Sequence, residues 1–129
     1  MSEQYAIHNQ MNRAVTELVE DLDGWKTLPI EWSKETGLPA VGVTDEVSSS
    51  VNEGPVHRIT IRAEPNSQYE VTGFSGKMVD GEYEPVHHIA WMSYEDREGH
   101  SPPLSGLDAA VEYVRMVCNS AMIREGAEC

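Results

Sequence analysis

Val56-His57-Arg58-Ile59-Thr60-Ile61-Arg62-Ala63 reads as the clearest strand of the chain. Its alternation places His57, Ile59, Ile61 and Ala63 on one face and Arg58, Thr60 and Arg62 on the other, the period of two that belongs to a half-buried strand and not to a helix. Turn chemistry bounds it on both sides. Asn52-Glu53-Gly54-Pro55 precedes it and Glu64-Pro65-Asn66-Ser67 follows, both rich in residues that bend the chain without strain.

Working outward, the same grammar repeats. Tyr69 to Val79 reads as the next strand, with Gly73 and Gly76 marking a bulge or a close backbone approach. Asp80-Gly81 is a hairpin dipeptide. Val86 to Tyr94 is expected to form a further strand, with Ile89 and Trp91 on one face and Val86, Ala90 and Met92 on the other. On the N-terminal side, Val41-Gly42-Val43-Thr44 begins a strand that extends toward Val51. Before it, Leu28, Ile30 and Trp32 alternate around Pro29, so Trp25 to Pro39 reads as an edge strand or an irregular cover.

Helices flank this β region. From Ser2 to Leu22, Ile7, Met11, Ala14, Val15, Leu18, Val19 and Leu22 recur at three- and four-residue spacing, and Asp23-Gly24 ends the pattern. Near the C-terminus, Leu107, Ala110, Val111, Val114, Val117, Cys118, Ala121 and Met122 form a second apolar stripe. Ser105 and Asp108 have capping-box spacing there, with Leu104 as the staple. Glu125 to Cys129 is expected to fray. The sum is one α+β domain over residues 1–129: an antiparallel β-meander of about three to five strands with an N-terminal and a C-terminal helix packed on one face.

The α-β-meander-α order resembles that of the double-stranded RNA-binding domain. The resemblance stops at topology, because the last helix carries Asp108 and Glu112 where phosphate recognition needs a basic cluster. Charge argues the same way along the whole chain. Its 22 acidic residues against 9 basic ones give a formal net charge of −13. The acids are spread over the sequence and not gathered in a tail, so the folded surface itself is negative. Direct binding to nucleic acid through phosphates is excluded on this ground, since it needs Lys and Arg to displace counterions.

Met1-Ser2-Glu3-Gln4 is polar and acidic, unlike a secretion leader, and no apolar run reaches membrane-spanning length. A cytoplasmic protein with two reduced thiols is the expectation, with Cys118 packed in a helix.

Catalytic and metal motifs do not emerge. His87 and His88 are adjacent on a strand and point to opposite faces, so they cannot chelate one ion together. His57 and His100 lack partners at ligand spacing, and neither a metal nor another cofactor is expected. His57 reads as a core-edge histidine with satisfied ring nitrogens, the alternative being a general base near Glu70 across the sheet. Gly73-Phe74-Ser75-Gly76 has the wrong spacing for a nucleophile elbow.

The expected function is therefore a non-enzymatic acidic binding module: an inhibitor, immunity or anti-defence factor, or adaptor that docks on a basic protein. Its contact residues are expected among the aromatics and the carboxylates beside them: Trp32, Tyr69, Tyr83, Glu82, Glu84, Trp91, Tyr94, Glu95 and Asp96. A nucleic-acid mimic is the sharper variant. A small enzyme built on His57, His87, His88 or His100 is the competing class, and it requires two or more of them in one concave site. A structural homodimer joined through the outer sheet face is a third expectation.

Overall fold

The structure, a computed structural model, describes residues 3–22, 24–45, 56–89 and 92–120. Five strands form one antiparallel sheet in sequence order: β1 (Lys26–Trp32), β2 (Pro39–Thr44), β3 (Val56–Glu64), β4 (Gln68–Val79) and β5 (Glu82–His88). A small hairpin of β6 (Ser93–Tyr94) and β7 (Arg97–Glu98) follows. Helix α1 (Glu3–Glu20) comes before the sheet and α2 (Leu107–Cys118) after the hairpin. The α+β meander read from the sequence is the fold.

The clearest strand of the sequence sits at the centre. Ile59 of β3 pairs with Val43 on one side and Gly73 on the other, and Ile61 pairs with Val41 and Val71. These residues share a single buried cluster with Met11, Val15 and Leu18 of α1 and Ala110, Val114 and Val117 of α2. Ile59, Ile61 and Val71 are fully buried, and each such side chain contributes roughly 1.5–3 kcal/mol relative to exposure. Leu22 joins the cluster just beyond α1, and Gly24 follows with φ 88° where the chain turns toward β1.

The stretch around Pro29 resolves as a true edge strand, β1, paired only with β2. Its register shifts between Leu28 and Glu31, so Pro29 falls at a bulge, where its missing N–H costs no ladder bond. Asp80 (φ 55°) and Gly81 (φ 84°) both adopt the left-handed conformation between β4 and β5, as the tight hairpin turn demands.

Three local expectations are corrected. The strand expected over Val86 to Tyr94 instead runs from Glu82 to His88, because the tight turn lets pairing start at once. Ile89 and Met92 do not lie on opposite faces: the chain leaves the sheet after His88 and folds both into the same cluster, while Val86 is exposed. The capping box at Ser105 and Asp108 is not formed. The N-cap of α2 is Gly106, with no side-chain cap bond, and Leu104 pairs with Tyr69 as an isolated bridge. The strand extension toward Val51, the turn at 52–55, Ala90, Trp91, and the residues from 121 on lie outside the described residues.

Candidate functional site

The alternation that buries Ile59 and Ile61 turns Arg58, Thr60 and Arg62 to the opposite side of the sheet. Thr60 pairs with Gly42 and Thr72, Arg62 with Ala40 and Glu70, and Arg58 with Thr44 and Phe74. Beside Thr60 and Arg62, strand β2 therefore contributes only Gly42 and Ala40 between longer neighbours, and a depression results. It holds two adjoining cavities of about 380 and 440 Å³ that share Glu31, Ala40, Thr60 and Phe74. Arg58 and Tyr83 line the first; Trp32, Arg62, Thr72, His88 and His100 line the second.

Glu70 organises the charge at the margin of this face. Its Oε1 lies 3.2 Å from Arg62 Nη2, and its Oε2 lies 3.0 Å from Arg97 Nη1 and 3.3 Å from His100 Nδ1. Arg62 Nε also approaches Glu64 at 3.3 Å. Arg97 Nη2 is 3.1 Å from His100 Nδ1. The Glu70 and Arg97 contacts favour opposite ring tautomers. Nδ1 is thus engaged by both groups, and Nε2 is the ring nitrogen left for another contact. His88 is held between Phe74 and His100, with ring centroids 4.5 and 5.9 Å away.

At the β5 end of the face, the Arg58 guanidinium lies 4.2 Å over the Tyr83 ring, and the Tyr83 hydroxyl donates to the Val56 carbonyl at 3.2 Å. Burial pushes the Tyr83 phenol up to about 12, outweighing the lowering effect of Arg58, while the Asp45 carboxylate adds a smaller push upward. The neutral phenol is thus the form the fold favours. Its contribution is fully present below the unfolded value of about 10 and is lost as pH rises through the folded value. In an ultraviolet pH titration, Tyr83→Phe is expected to remove the last-titrating tyrosine, the one near pH 12. Survival of that late step in the variant would show that another phenol carries it.

A second polar cluster is buried on the core side. Asp45 Oδ1 accepts from the His57 backbone N–H at 2.7 Å, and its Oδ2 lies 2.9 Å from His57 Nδ1. The Thr44 hydroxyl donates to the His57 carbonyl at 2.9 Å. Glu70 is therefore not the carboxylate beside His57. It lies on the other face of the sheet, because positions 57 and 70 have opposite parity across the β3–β4 ladder. Burial, with the Asp45 charge adding to it, pushes the Cys118 thiol well above its usual range and keeps it protonated.

The four histidines weighed as catalytic residues divide accordingly. His57 belongs to the Asp45 pair, His87 is exposed, and His88 and His100 share one cavity. Among the described residues, no group of three or more His, Cys, Asp or Glu side chains could hold a metal ion.

The expected contact residues fall in several places. Trp32 is exposed at the end of β1, stacked on His8 and edge-on to Tyr5 of α1. Tyr69 is half-buried and packs against the core cluster. Glu82 and Glu84 are exposed on β5 with Tyr83 turned onto the sheet face between them. Tyr94 is half-buried in β6, and Glu95 and Asp96 are exposed at the β6–β7 turn. Since Trp32 and Glu82–Glu84 stand on opposite edge strands, these residues do not form one patch. Trp91 lies outside the described residues. The sequence reading put Arg58, Thr60 and Arg62 on this outer face but did not single out Thr60, Arg62, Thr72, Phe74 and His88 as a site. Its signal was present in the Arg58-x-Thr60-x-Arg62 alternation opposite the apolar residues.

No protein-family model, curated protein or solved structure matches this chain. No helix among the described residues is long and apolar enough to cross a membrane.

Proposed function

We propose that the chain is an acidic binding module that docks on a basic protein through the carboxylates of its two β-hairpins. The observation that carries this reading is the separation of charge. Asp80, Glu82 and Glu84 on the β4–β5 hairpin and Glu95, Asp96 and Glu98 on the β6–β7 hairpin are all exposed. The cations nearby are directed to carboxylates of the chain itself: Arg62 and Arg97 to Glu70, and Lys77 to Glu84 at 3.7 Å. Glu84 is thus partly offset, while Asp80, Glu82, Glu95, Asp96 and Glu98 have no ion-pair partner among the described residues. In this arrangement the negative field is left facing outward. Such a field steers encounter with a positive surface and selects against acidic partners. An inhibitor, an immunity or anti-defence factor and an adaptor would all act by such docking.

The test compares the native chain with a variant carrying Glu82→Gln, Glu84→Gln, Glu95→Gln and Asp96→Asn. Both are used as bait in host lysate and eluted from about 0.1 to 1 M salt, over which screening shortens from about 10 to 3 Å. The reading expects a basic protein in stoichiometric amount on the native bait, released by salt and lost from the neutralised one. A nucleic-acid-binding protein in that position would make the chain a nucleic-acid mimic. Equal retention on both baits, or none on either, overturns the hairpin docking.

A further inference from the structure

The depression on the polar sheet face has a composition that the hairpin reading does not use. Its floor is small or apolar: Ala40 and Gly42 from β2 and Phe74 from β4, with Trp32 and Leu38 at one side. Onto that floor converge polar groups without hydrogen-bond partners among the described residues. They are the Thr60 and Thr72 hydroxyls, directly opposite each other across β3 and β4, and the ring nitrogens of half-buried His88. Arg62 uses Nε and Nη2 for Glu64 and Glu70, which leaves Nη1. His100 has Nδ1 engaged by Arg97 and Glu70, which leaves Nε2. An apolar hollow with a few converging polar groups is the usual composition of a small-ligand site.

The donors set the chemistry of the ligand. Arg62 can only donate, and hydroxyls and imidazoles donate readily to an acceptor. The face also carries Glu31, Glu64 and Glu70, but Glu64 and Glu70 are already engaged by guanidinium groups, and Glu31 stands exposed at the rim. We propose that the cavity lined by Thr60, Arg62, Thr72, Phe74, His88 and His100 binds a small organic anion, an oxyanion group carried on a planar ring. The ring lies against Phe74 and His88, and the oxyanion meets Arg62, His100 and the two hydroxyls. A cavity of about 440 Å³ accommodates one aromatic acid and not a polymer.

The probes are benzoate, phenyl phosphate and, as the cationic control, benzylammonium. They are titrated into the isotopically labelled full chain while the histidine ring resonances are followed. One of the two anions is expected to move the His88 and His100 signals saturably, with a dissociation constant of roughly 1 mM as suits a fragment. His57, on the other side of the sheet, should not move. Ala40→Leu fills the hollow without removing any polar group and should abolish the shifts, its unchanged His57 signal reporting an intact fold. Arg62→Gln should weaken the responding anion about tenfold, the loss of a charge-assisted hydrogen bond. No saturable shift up to about 10 mM, an equal response to benzylammonium, or undiminished binding to the Ala40→Leu variant would each overturn the proposal.

Discussion

Gly76→Ala is expected to lower the free energy of unfolding by about 3 kcal/mol, a fall of roughly 10 °C in Tm. Gly76 sits where the β4–β5 ladder changes register: Ser75 pairs with His87 and Gly76 with Pro85, so Val86 is the extra residue of a bulge. A Cβ at position 76 would be driven into the Glu84 carbonyl oxygen, with Pro85 Cα at 2.9 Å and the Glu84 carbonyl carbon at 3.0 Å. These are backbone atoms of the paired strand and cannot rotate away. The edge strand must therefore separate from β4 or shift its register, and either move disturbs Tyr83 and Pro85 along β5. Gly73→Ala is the matched comparison. Its Cβ would meet Met92 Sδ at 2.7 Å and Ile89 Cδ1 at 2.9 Å, both ends of side chains that can change rotamer. The loss there is expected to be about 1–2 kcal/mol. Chemical denaturation of both variants tests the ordering, and a Gly73→Ala protein less stable than Gly76→Ala would refute the backbone argument.

Asp45→Ala is expected to cost about 3 kcal/mol, because it removes at once the acceptor of the buried His57 N–H and the carboxylate beside the His57 ring. Asp45 joins the end of β2 to the start of β3 through two contacts with one residue, the His57 N–H and the His57 ring. Asp45→Asn retains an oxygen that can accept from the His57 N–H, so its loss is expected to be smaller, about 1–2 kcal/mol. Urea unfolding at neutral pH separates the outcomes. Equal losses for Ala and Asn would assign the stabilisation to the carboxylate charge alone. A loss below about 1 kcal/mol for Ala would show that the pair contributes little to holding the strands together.

The fold was legible because its signals are local. The β3 alternation, the Asp80-Gly81 turn and the two helical stripes each encode their element within about a dozen residues, the range over which periodicity and turn chemistry act. The misreadings have equally local causes. Val86 to Tyr94 continues to look like a strand, since nothing in its composition marks the point where pairing stops. What ends it is the departure of the chain from the sheet after His88, which carries Ile89 and Met92 into the core instead. The Ser105–Asp108 spacing satisfies a capping box on paper, but the helix starts one residue later, behind Gly106.

The site was less legible, because it depends on residues that meet only across strands. A pairing of His57 with Glu70 was the alternative to a satisfied core-edge histidine, yet the two lie on opposite faces, and Asp45 stands beside His57. Glu70 instead gathers Arg62 from β3 and Arg97 and His100 from the segment that follows the second hairpin turn. Periodicity and net charge survive any arrangement of the elements, so the α+β class, the central strand, its buried and polar faces, and the excess of negative charge were readable from residue order alone. Strand pairing settled which carboxylate meets which cation, that His88 and His100 share a hollow while His57 does not, and that Ala40 leaves that hollow open. Those outcomes depend on strand register, and a shift of one residue would turn every side chain of a strand to the other face.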